Sequence, residues 1–88
     1  METSVDKILA ERGSRYGAFS EHAFITQKLK CQMAMTPNWE TRLTTDKKEA
    51  LEMIAHKIGR ILNGDPEYKD SWVDIAGYAT LISDSLND

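Results

Sequence analysis

Leu51, Ile54, Ala55, Ile58, Ile61 and Leu62 fall on one stripe at the i, i+3, i+4, i+7 spacing. No other feature restricts the fold as strongly. A period near 3.6 sustained over this length predicts a helix with one face committed to apolar neighbours. Thr45 is its expected cap, and Asn63-Gly64 with Pro66 just beyond ends it. The connection "GDPEYKD" is too short for anything but an antiparallel return. It leads into a last helix from about Asp70 to Leu86, whose main stripe is Trp72, Ile75, Ala76, Ala79, Ile82 and Leu86. Val73, Gly77 and Leu81 lie on a different side, beside Asp70 and Asp74. A helix that is apolar nearly all round is buried nearly all round. In so short a chain this predicts a homo-oligomer, with a second subunit covering the second side.

The first half of the chain is also helical in pattern. Val5, Ile8 and Leu9 have helical spacing, with Thr3 or Ser4 as cap. "RGSRYG" is expected to break that helix through Gly13 and Gly17. Ser20 caps a second helix, "EHAFITQKLKCQMAM", with Ala23, Phe24, Leu29 and Cys31 among its apolar positions. Pro37 and Asn38 mark "TPNWETRL" as a loop, from which Trp39 folds back onto the helices. No segment alternates with period two, so no sheet is expected. The predicted fold is all-α: one domain over residues 1–88, a compact bundle of about four helices that forms an oligomer.

Composition narrows the function. With 41% hydrophobic and 28% charged residues the chain is globular in character, and disorder is not expected. A domain of 88 residues buries only roughly 60–65% of the surface its unfolded chain exposes, so its stability depends on close packing or on association. The net charge of −3 argues against duplex nucleic acid as a partner, which calls for a basic stripe. A small anion needs only a local pair of cations. Cys31 is the single cysteine and forms no internal disulfide. The N-terminus has no signal pattern, and no apolar run approaches the ~20 residues of a bilayer span, so the expectation is a cytoplasmic protein with no membrane partner.

Three groups of residues carry possible chemistry. Glu49, Glu52, His56, Arg60 and Asn63 lie within about a quarter turn of one another on the face opposite the third helix's stripe. They read either as a solvated face, with pairs such as Glu52 to His56, or as a metal or phosphate site. Carboxylates one turn apart suit Mg²⁺, and Lys57 and Arg60 suit phosphate oxygens. On the last helix, Asp70 and Asp74 share an apolar side and need a cation. Mg²⁺ is one candidate; Arg60 or Lys57, from this subunit or a neighbour, is another, with an ion pair from Arg60 to Asp70 among the possibilities, and Asp70 also favours a helix N-terminus. Gly77 beside them would admit a closely approaching backbone or a flat ligand, with Tyr78 adjacent. In "RYGAFSEH", Tyr16 and Phe19 either stack on a base or pack in the core, and Arg15 or His22 reaches a phosphate. There is no phosphate loop, no zinc spacing and no GxSxG.

The segments "RYGAF" and "EALEMIAHKIGRILNGDPEYKDSWVDIAGYATL" resemble small phage and prophage proteins of a domain of unknown function. The resemblance covers nearly the whole chain, and "DSWVDIAGYA" is its strongest motif. The chain is also similar to the domain associated with phage nucleotide modification and, more distantly, to the MazG-type all-α NTP pyrophosphohydrolases. Those enzymes are helical oligomers that hold Mg²⁺ with an E-x2-E pair on one helix and an E-x2-D pair on the next. Glu49 and Glu52 match the first pair. For the second, Glu67 and Asp70 have the spacing but lie around the loop, whereas Asp70 and Asp74 lie on the helix with a spacing of four.

The resemblance implies a nucleotide or cyclic nucleotide ligand, held by Arg15, Tyr16, His22, His56, Lys57, Arg60 and Tyr78, with Mg²⁺ on Glu49, Glu52, Asp70 and Asp74. Three functions fit. One is a Mg²⁺-dependent nucleotide pyrophosphohydrolase or related enzyme. The second is a non-catalytic sponge that sequesters a nucleotide signalling host defence against phage. The third is a helical interaction protein with no small ligand. No residue is assigned a catalytic role.

Overall fold

A computed structural model describes residues 4–86, and every regular element in it is an α-helix. The order is α1 (Ser4–Tyr16), α2 (Phe19–Ala34), α3 (Pro37–Thr41), α4 (Thr45–Asn63) and α5 (Lys69–Ser85). The all-α expectation holds. Thr3, one of the two expected caps of α1, lies outside the described residues, and Ser4 is the first residue of that helix.

Several boundaries differ from expectation. Gly13 does not stop α1, because one interior glycine costs only about 1 kcal/mol. The stop comes at Gly17, which takes the left-handed conformation at φ 79° while its N–H still bonds Gly13 O at 3.0 Å. Helix α2 then starts one residue before Ser20, with Ala18 in the cap position. The expected loop around Pro37 contains a short fifth helix. Proline fits the first helical position, where its missing N–H would have had no partner, and Thr36 precedes it as cap. Trp39 is half-buried there, with Lys48 Nζ 5.9 Å from its ring centre. Thr44 rather than Thr45 caps α4.

The compact bundle is not what forms. Helix α4 is central, with α2 along one side and α5 along the other. The three make a single layer in a chain that measures 54 × 26 × 22 Å overall. The radius of gyration is 15.3 Å, against about 12 Å for a compact domain of this length. Burial is correspondingly thin: Ala50 and Ala55 are the buried apolar residues, and no large side chain is fully enclosed. The two long apolar stripes do meet, since Leu51 and Ile54 of α4 border the same groove as Ala79 and Ile82 of α5. Among the described residues, Leu51 and Ala79 on these stripes stay exposed.

One glycine sets the spacing of the layer. A Cβ on Gly59 would run into Thr26 Cγ2 and stand 3.0 Å from the His22 ring, so α2 and α4 approach closely there. Gly77, expected to admit a close neighbour, has nothing within 4 Å of where its Cβ would be.

Candidate functional site

The end of α4 is clasped to the turn between α1 and α2. Asn63 Nδ2 donates to Tyr16 O and to Ala18 O, both at 2.9 Å, and the Asp65 N–H donates to Arg15 O at 2.6 Å. A Cβ on Gly64 would collide with the Arg15 carbonyl, and one on Gly17 with Asn63. "RYGA" and "NGD" are therefore two halves of one backbone clasp. Its effect is to hold Tyr16 beside the last turns of α4.

A cleft of about 350 Å³ opens next to this clasp, bounded by α1, the start of α2 and α4. Arg12 and Tyr16 come from α1, Phe19 and His22 from α2, and His56 and Arg60 from α4. The Arg60 guanidinium lies 4.1 Å from the Tyr16 ring centre, a cation–π contact that leaves its N–H fork available at the edges. Phe19 is 80% exposed, an unusual position for a large ring unless something covers it. The residues lining the cleft include no carboxylate, and neither Arg12 nor Arg60 forms an ion pair among the described residues. Ala18 and Phe19, at the start of the 16-residue helix α2, also border the cleft, and no side chain caps that N-terminus. Its positive dipole end adds to the two arginines.

His22 and His56 are joined Nε2 to Nδ1 at 3.2 Å, with rings nearly perpendicular at 82°. Burial lowers the His22 pKa, and the Arg60 charge lowers it further. Burial and then Arg60, with smaller contributions from His22 and Lys57, take His56 down to about 4. The lowered pKa values favour the neutral form of both rings at pH 7, each with one N–H, and one of those two protons lies in the bond between them.

Acid therefore weakens the fold. Between pH 6.5 and about 4 the unfolded chain takes up a proton on His56 that the folded chain refuses. Stability falls as pH drops through that window and levels off below it. Each tenfold loss of proton affinity in the folded chain is worth about 1.4 kcal/mol. Solvent screening of the partly exposed ring reduces the total to about 1–2 kcal/mol. Urea midpoints of wild type and His56→Gln, compared at pH 7 and pH 4.5, check it: the variant is expected to lose that part of the slope.

Of the residues expected to hold a nucleotide, Tyr16, His22, His56 and Arg60 line the cleft. The other three do not. Arg15 turns away, with Nη1 donating to Tyr68 Oη at 2.8 Å and Nη2 paired to Glu11 at 2.9 Å. Lys57 is buried against α5 and pairs with Asp74 at 2.9 Å. Tyr78 borders the apolar groove between α4 and α5.

The four expected metal ligands are spread out. Asp70 accepts from Tyr68 Oη at 3.0 Å, Asp74 is engaged by Lys57, and Glu49 and Glu52 remain along α4. The expected pair from Arg60 to Asp70 is replaced by these contacts, with Arg60 on Tyr16. Among the described residues no three His, Cys, Asp or Glu side chains come together as a cation site.

Arg12 is the cleft residue that sequence reasoning missed. Its signal was available: Leu9, Arg12 and Tyr16 stand at i, i+3 and i+7, one face of a helix that continues past Gly13. Ending the helix at that glycine hid the alignment.

The fold and the cleft together define an all-α helical layer with a cationic, ring-lined depression at one end. Residues 1–85 match the family described as a domain of unknown function, DUF6378, and the chain belongs to that family. No curated protein and no solved structure matches it. Among the described residues no helix is long and apolar enough to cross a membrane.

Proposed function

We propose that the chain binds a nucleotide or cyclic nucleotide in the cleft beside the clasp and holds it without hydrolysis. The observation that carries this reading is the pairing of Arg12 and Arg60 with the Tyr16 and Phe19 rings in a depression lined by no carboxylate. Two guanidinium groups with no ion pair among the described residues favour phosphate oxygens, and the exposed Phe19 ring favours a base. The volume of about 350 Å³ lies at the low end of small-molecule sites, suited to one ring with its phosphate. The spread of the carboxylates supports sequestration over Mg²⁺-dependent turnover. On this reading the likeness to small phage proteins and to MazG-type pyrophosphohydrolases reflects a shared helical, nucleotide-holding ancestry. The protein would then act in the host cytoplasm as a sponge for a signalling nucleotide.

A second reading, an interaction protein with no small ligand, is favoured by the uncovered apolar face of the layer. A thermal-shift panel of nucleoside triphosphates and cyclic nucleotides, with and without Mg²⁺, separates the two. A true ligand at a hundred times its Kd raises the melting temperature by on the order of 10 °C. Arg60→Gln is expected to weaken that ligand about 10- to 100-fold, the worth of a charge-assisted hydrogen bond. No shift with any phosphate compound rejects the nucleotide reading.

A further inference from the structure

The geometry points to a second copy of this chain as the partner that covers the apolar face of the α4–α5 layer. On α4, Leu51, Ile58 and Leu62 stand at i, i+7 and i+11, hence on one side. On α5, Trp72 and Ala79 stand at i and i+7, and Leu86 follows just past the helix end. Leu62 is 66% exposed and Trp72 54%. The strip runs along both antiparallel helices and includes a groove of about 250 Å³, in which Lys47 is the only charged lining residue.

Helices bury an apolar stripe by packing in two layers, and this chain supplies one. The areas agree with what a dimer needs. The chain exposes 6616 Å², whereas a compact monomer of 10.0 kDa exposes about 5200 Å². The excess of roughly 1400 Å² is spread over the whole elongated chain and leaves room for the ~800 Å² that each partner contributes to a stable interface. A face almost without charge holds no pattern to select a foreign partner. It matches another such face, and two-fold pairing of identical faces closes the assembly with no apolar surface left to propagate.

Sedimentation velocity of the full chain at micromolar concentration tests this. Wild type is expected at twice the 10.0 kDa chain mass. Leu62→Glu is expected to sediment as a monomer that keeps its helical circular dichroism, because Leu62 is open to water in the single chain. Thr80→Glu, about a quarter turn around α5 from Ala79 and so off the strip, is expected to leave the dimer intact. Should Leu62→Glu fail to fold, the urea midpoint of wild type decides, since a dimer's midpoint rises with protein concentration. A monomeric wild type, a midpoint independent of concentration, a dimer unaffected by Leu62→Glu, or a different protein in fixed ratio in place of the second copy overturns the proposal. None of these results depends on whether the cleft binds a nucleotide.

Discussion

Gly59→Leu is expected to cost about 3 kcal/mol, the upper end of what overpacking costs, and to separate α2 from α4. The position tolerates no Cβ: the methyl of Thr26 and the ring of His22 already occupy that space. Both belong to a helix that cannot shift by itself, since α2 is tied through Ala18 to the Asn63 clasp. A leucine there forces the helices apart and breaks the His22–His56 contact with them. In a layer with so little enclosed core, 3 kcal/mol is a large share of the roughly 5–15 kcal/mol a domain has. The measurement is a urea melt followed by circular dichroism. Gly77→Ala is the control: its Cβ meets nothing within 4 Å, so gaining helix propensity should stabilise by about 0.5–1 kcal/mol. A Gly59→Leu protein as stable as wild type would mean that α2 and α4 are not packed as described.

Asp74→Asn is expected to destabilise by about 2–3 kcal/mol, with or without Mg²⁺. Lys57 is buried, and Asp74 is the carboxylate that meets it at 2.9 Å. Asparagine keeps the shape but leaves an ammonium group without a counter-charge in a site that water reaches poorly. Because the Asp74 side chain is itself 45% exposed, the cost falls below that of a fully enclosed pair. Adding Lys57→Met to the same chain should recover most of the loss, since no unpaired charge then remains. Urea midpoints of the single and double variants, measured in EDTA and in excess Mg²⁺, check both points. If Asp74 were a metal ligand, the single variant would instead keep its stability in EDTA and lose a Mg²⁺ response that wild type shows.

Much of the helical content was legible in the residues. The stripe from Leu51 to Leu62, the stop at Asn63-Gly64 and the antiparallel return through "GDPEYKD" are local matters, decided by periodicity and by which residues end a helix. The aromatic and basic content of "RYGAFSEH" was legible for the same reason, and Tyr16 and His22 do reach the cleft. The residues alone also suggested that Asp70 and Asp74, set among apolar positions, each meet something positive; Asp74 does, in Lys57, whereas Asp70 is exposed and accepts from Tyr68 Oη instead. Which partner each takes is a matter of azimuth and distance between helices. Tertiary structure alone brought Lys57 to Asp74 and Arg60 to the Tyr16 ring, because these pairs are joined by packing across loops and not by spacing along a helix, whereas the bond from Tyr68 to Asp70 is local to the start of α5. Only the fold showed that Gly59 rather than Gly77 is the point of close approach, since a glycine's neighbours are on another helix. And an apolar stripe states that a helix face must be covered without stating by what. The layer formed by α2, α4 and α5 turns that requirement outward, so the apolar surface this chain cannot bury within itself remains exposed along α4 and α5.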